Sequence, residues 1–185
     1  MIVLSTLCLP VLLSAVFVFL VSSLVHMALP WHKNDFARLP EEDKVRAALR
    51  PFATPPGDYM VPMCQADERC SPEFKAKLKE GPVQILTVLP NGPFAMGKSL
   101  LQWFVYLVVI SFFTAYLTAH ALPAGAHYRA VFRLAGTVSF LAYAGGLWPQ
   151  SIWYRKSWCV TAKSTVDSLL YALVTAGTFG WLWPH

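Results

Sequence analysis

Apolar residues in this chain come in long blocks, and polar ones crowd into the gaps between them. Residues 2–29 hold no charged side chain. Three more blocks follow, 99–122, 130–148 and 165–183; only Arg133 and Asp167 interrupt them with charge. A helix rises about 1.5 Å per residue, so roughly 20 apolar residues cross the hydrocarbon core of a bilayer. The pattern predicts an all-α integral membrane protein with four transmembrane helices. A polar insertion over 31–97 holds short helices, and 1–185 is expected to form a single membrane domain. The first block lacks a basic leader and a small-residue cleavage site, so it is expected to be a retained helix rather than a signal peptide.

Local signals sharpen the boundaries. Pro10 marks a kink in the first helix, and Pro30, Pro123 and Pro149 stop the first three. The fourth is expected to begin at Ser164 as N-cap, with Asp167 three residues on as an acidic capping box. In the insertion, 40–50 reads as a helix with acids first and bases last, matching the macrodipole, and Pro51 ends it. Residues 72–80 read as a second helix, with Ser71 as N-cap, Pro72 at the first position and Gly81 at the exit. "VQILTVLPNGPFAMGK" is apolar, turn-rich and too short to cross, so it is expected to lie along the membrane surface or against the bundle.

Composition supports lipid as the solvent. Hydrophobic residues make up 56% of the chain and charged residues 14%, against about a quarter in soluble proteins. Mean hydropathy is +0.47. The net charge of +5 does not indicate a nucleic-acid partner, because the basic residues of 33–98 alternate with acids instead of forming a patch. Nearly all the lysines and arginines flanking the spans fall on the first and third connections. The positive-inside rule therefore puts 31–97 in the cytoplasm of a multi-pass membrane protein. The contrary signal is "CQADERC": a disulfide between Cys64 and Cys70 would need an oxidising compartment. Trp31, Trp103, Trp148, Trp153, Trp158, Trp181 and Trp183 lie near the block ends, as interfacial anchors do.

Chemistry is sparse. Cys64, Cys70 and His32 supply too few ligands for a recognisable zinc site. His26 and His120 fall at opposite membrane faces in this topology and cannot share a haem iron. Arg133 is close enough to its helix end to snorkel, and capping accounts for Asp167. "GPFAMGKS" matches the phosphate-loop pattern from Gly92 to Ser99, but a proline follows Gly92 and a membrane helix follows Ser99. No catalytic residue, metal site or cofactor is expected, although the bundle leaves room for a bound lipid, quinone or pigment. Ala172, Ala176 and Gly180 recur every four residues, and Gly136 and Ser139 offer a matching surface for close helix packing.

Five stretches carry a resemblance: "HKNDFARLPEED", "PPGDYMVP", "EGPVQILTVLPNGPFAMGKSLLQWFVY", "AVFRLAGTVSFLAY" and "LVTAGTFGWLWP". Through them the chain resembles an uncharacterised family of small bacterial multi-pass membrane proteins. Relatives carry two adjacent histidines where this chain has Trp31-His32. The resemblance implies a bacterial membrane location and transfers no activity or catalytic residues. The function expected is that of a non-catalytic accessory or assembly subunit in a larger membrane complex, with an energy-transducing one, respiratory or photosynthetic, as a plausible home. Its partners are the lipid bilayer and other integral membrane proteins. The alternative is a small transporter or membrane enzyme with a site near Arg133 and His120.

Overall fold

The computed structural model describes residues 4–65, 71–93 and 95–185. The chain forms two units, one of residues 1–36 with 95–185 and the other of residues 37–94. The first unit is helical. Helix α1 (Cys8–Ser23) follows a 3-10 turn, Leu4–Leu7, and runs on into a wide π-type turn, Leu24–Ala28. Helices α4 (Met96–Ala121), α5 (Tyr128–Ala144), α6 (Trp148–Tyr154) and α7 (Trp158–Trp181) complete the unit. The second unit holds α2 (Glu42–Leu49), α3 (Pro72–Glu80) and two strands, β1 (Gly57–Val61) and β2 (Gln84–Val88).

Four long helices pack in a closed ring: α1 on α4 and α7, and α5 on α4 and α7. Their directions follow from two apolar clusters. One joins Leu7, just ahead of α1, and Val11 from its start to Ala119 from the end of α4, Val131 from the start of α5 and Phe179 from the end of α7. The other joins Val18, Leu107, Tyr143 and Tyr171. Progress along α1 and α5 is thus retreat along α4 and α7, an up-down-up-down bundle. Small side chains let the axes approach. A Cβ on Gly136 would sit 3.2 Å from the Ala176 Cβ, while Ser14 donates to Ser111 Oγ at 2.9 Å across the α1–α4 seam.

Three helical stretches are long and apolar enough to cross a membrane: Leu4–Ala28, Met96–Ala121 and Tyr128–Tyr154. The fourth expected span is corrected. Helix α7 starts at Trp158 behind Ser157, seven positions before the expected 165, and so includes Lys163 and places Asp167 in its third turn rather than its first. Its polar groups are not at a cap. Thr161, Asp167, Ser168, Thr175 and Thr178 are buried, and several of the hydroxyls bond the carbonyl one turn back. Polar residues that face helices rather than lipid lower the average hydropathy of a helix without exposing it to hydrocarbon.

Three smaller expectations also shift. Pro149 does not simply end the third span: it stands at the start of α6, where its missing N–H has no partner to lose. The all-α expectation meets a two-stranded antiparallel sheet, because "QILTV" pairs with "GDYMV", Leu86 opposite Tyr59. Residues 31–36 belong with the bundle rather than with the polar insertion. Helix α3 matches its expected bounds, and the Phe74 N–H donates to Ser71 Oγ at 3.1 Å.

Candidate functional site

A cluster of charged groups forms at the end of the bundle where α1 finishes and α7 begins. Helix α1 carries His26 in its terminal π turn, in which the Leu29 N–H reaches back five residues to the Leu24 carbonyl. The cause is local: Pro30 has no N–H for the His26 carbonyl, so a regular last turn cannot close. Pro30 opens a 3-10 turn, Pro30–His32, that lays His32 beside His26 with ring centroids 4.4 Å apart. Asp167 comes from α7, 135 residues along the chain from His32.

The hydrogen bonds run in a line. Lys163 Nζ donates to Asp35 Oδ1 at 2.8 Å, and His32 Nδ1 donates to Asp35 Oδ2 at 2.6 Å. His32 Nε2 then donates to Asp167 Oδ2 at 2.9 Å. The Lys163 ammonium, and after it the His32 ring, hold the Asp35 carboxyl below the usual carboxylate range. Asp167 is 6% exposed, and a polar group buried to this degree needs a hydrogen-bond partner, which His32 supplies.

A cavity of about 200 Å³ adjoins the cluster, with His26 and Asp167 in its wall beside the rings of Trp103, Tyr106, Tyr143 and Tyr171. The Tyr171 hydroxyl is buried without a hydrogen-bond partner among the described residues. His26, His32 and Asp167 each offer one ligand atom, and these atoms lie within 4.8 Å of one another. The site can therefore hold a charge line as it stands, or converge on a cation.

The residues singled out in the sequence are dispersed. His120 lies on the opposite end of the bundle, its Nδ1 donating to the Tyr116 carbonyl at 2.8 Å, and Arg133 is exposed in the second turn of α5. Neither reaches the cluster. Ser139, Ala172 and Ala176 are buried, Gly136 meets Ala176, and Gly180 meets the Tyr128 ring. Trp31, Trp148, Trp153, Trp158 and Trp181 are exposed. Trp103 is half-buried and donates to Ser22 Oγ, whereas Trp183 is 4% exposed and donates to the Pro123 carbonyl. Cys64 is half-buried, and Cys70 lies outside the described residues. Sequence reasoning missed the association of His26, His32 and Asp167. The available signal was Asp167 itself, the single acid beyond Glu80.

The unit of residues 37–94 is open in a different way. None of its described residues is buried. Phe52 and Met63 are 74% and 75% exposed, and Met60 stands bare opposite Ile85 on the ribbon. No family model, curated protein or solved structure matches the chain.

Proposed function

We propose that this chain is a four-pass membrane protein that serves as a non-catalytic accessory or assembly subunit of a larger membrane complex. The observation that carries the reading is the exposure of residues 37–94: a two-stranded ribbon, two short helices and no buried residue among those described. Isolated two-stranded sheets are marginal in water, and folding entropy is offset chiefly by apolar burial. A segment with this much bare apolar surface gains its missing burial from another protein. The small-residue stripe of α7 supports the reading less than its sequence implied, since Ala176 is used against α5.

Helix α7 packs on α1 and α5, two of the three helices fit to cross the bilayer, and runs antiparallel to both, which supports a fourth crossing. The flanking lysines and arginines favour a cytoplasmic 37–94. Extraction of the native membrane in mild detergent tests the proposal. The chain is expected to migrate with other membrane polypeptides on a native gel, and a lone 20.6 kDa species would contradict it.

The charged cluster favours a second reading, a membrane enzyme or transporter working at His32 and Asp167 rather than near Arg133 and His120. An Asp167→Asn variant that loses a specific flux or turnover while still assembling with its partners would select it.

A further inference from the structure

We infer that His26, His32 and Asp167 form a binding site for one divalent first-row transition-metal ion. Geometry is the first ground. The three ligand atoms come from a π turn, a 3-10 turn and a long helix, and all lie within 4.8 Å of one another. Metal–nitrogen and metal–oxygen bonds are about 2.0–2.2 Å, which puts neighbouring ligand atoms roughly 3.4 Å apart in a tetrahedral site. His32 Nε2 and Asp167 Oδ2, at 2.9 Å, are already that close, and the His26 ring is packed edge-on against His32.

The groups behind the ligands are the second ground. A metal-bound imidazole characteristically donates its other N–H to a carboxylate, which fixes the ring and raises its basicity. His32 does so to Asp35 at 2.6 Å, and Lys163 occupies the other Asp35 oxygen at 2.8 Å. Asp35 is thereby kept as an orienting group, and Asp167 is the carboxylate left to bind the ion. A salt bridge between His32 and Asp167 alone would not need His26 beside them.

The donor set selects the ion. Two imidazoles and one carboxylate suit zinc, iron, cobalt, nickel or manganese, whereas magnesium and calcium favour oxygen ligands alone. Three protein ligands leave one position open, as in catalytic rather than structural sites, and both His26 and Asp167 line the cavity of about 200 Å³ that would receive an exogenous ligand.

Cobalt(II) titration of the full-length, chelator-stripped protein in detergent tests the site. One cobalt per chain is expected, with visible ligand-field absorption that zinc abolishes and excess magnesium leaves unchanged. His26→Ala is the deciding variant: its ring is exposed and lies outside the hydrogen-bonded line, so the fold is expected to survive while the absorption is lost. His32→Ala is expected to lose it too, and His120→Ala to keep it. Asp35→Asn is expected to weaken binding about 10–100-fold at unchanged stoichiometry. No absorption in the wild-type protein, or equal absorption in His26→Ala, would overturn the inference and leave the cluster as an ionic lock. Displacement by magnesium would overturn the class of metal.

Discussion

Asp167 stands 87 positions beyond the last acid of the polar insertion, Glu80, and the bundle buries it against a hydrogen-bond partner. Its oxygen accepts from His32, which Asp35 and Lys163 hold in turn. Replacing it by leucine strands the Nε2–H of His32 against an apolar side chain. Asp167→Leu is therefore expected to destabilise the protein by about 1–3 kcal/mol, the cost of an unmet donor in a half-buried setting. The check is the thermal midpoint of the detergent-solubilised protein. Asp167→Asn, which still accepts a hydrogen bond, is expected to lose less. At this scale the sequence was readable where a residue acts on near neighbours. Ser71 caps α3 through the Phe74 N–H, three residues away. It was unreadable where partners lie far apart: His32 and Asp167 each have a sufficient local explanation, and only the closed bundle brings them together.

Helices were legible as elements because lipid imposes a simple rule: each crossing shows about 20 apolar residues in a row. Strands β1 and β2 escaped that rule. Each is five residues long, and their exposed faces leave no clear alternation to read. The start of α7 escaped for the opposite reason, since Thr161 and Lys163 look like a polar flank until Thr161 is seen bonded to Ser151 of α6 and Lys163 to Asp35. The seams between helices carry two expectations. Ser14 and Ser111 share one hydrogen bond between α1 and α4. Either single alanine substitution is expected to cost on the order of 1 kcal/mol, and the double variant less than the sum, because removing both partners leaves nothing unmet. A double-mutant cycle on thermal midpoints measures the coupling. At the α5–α7 seam, Gly136→Leu must push Ala176 away, and overpacking of this kind costs about 1–3 kcal/mol. Gly146→Ala meets nothing within 4 Å and serves as the neutral control.

The molecule as a whole divides its labour by solvent. One unit buries its polar residues between helices and turns leucines, valines and phenylalanines outward, as lipid demands. The other, 37–94, has both polar and apolar residues in the open. That contrast was legible in outline, since nine of the ten acids fall between Asp35 and Glu80. The exact seam was not: residues 31–36 look like insertion and belong to the bundle, because His32 and Asp35 are tied to α7. The division implies that the bundle does not depend on 37–94 for its stability. Helices α1 and α4 are neighbours, so the gap to be bridged is on the order of 10 Å. A flexible linker of about 12 residues spans roughly 19 Å and closes it without strain. Replacing 37–94 with such a linker, while keeping His32 and Asp35, is expected to leave the thermal midpoint of the bundle unchanged and to remove the co-migrating polypeptides. A bundle that unfolds without 37–94 would mean that this segment stabilises its own chain, and the apolar surface around Phe52 and Met63 would no longer call for a partner.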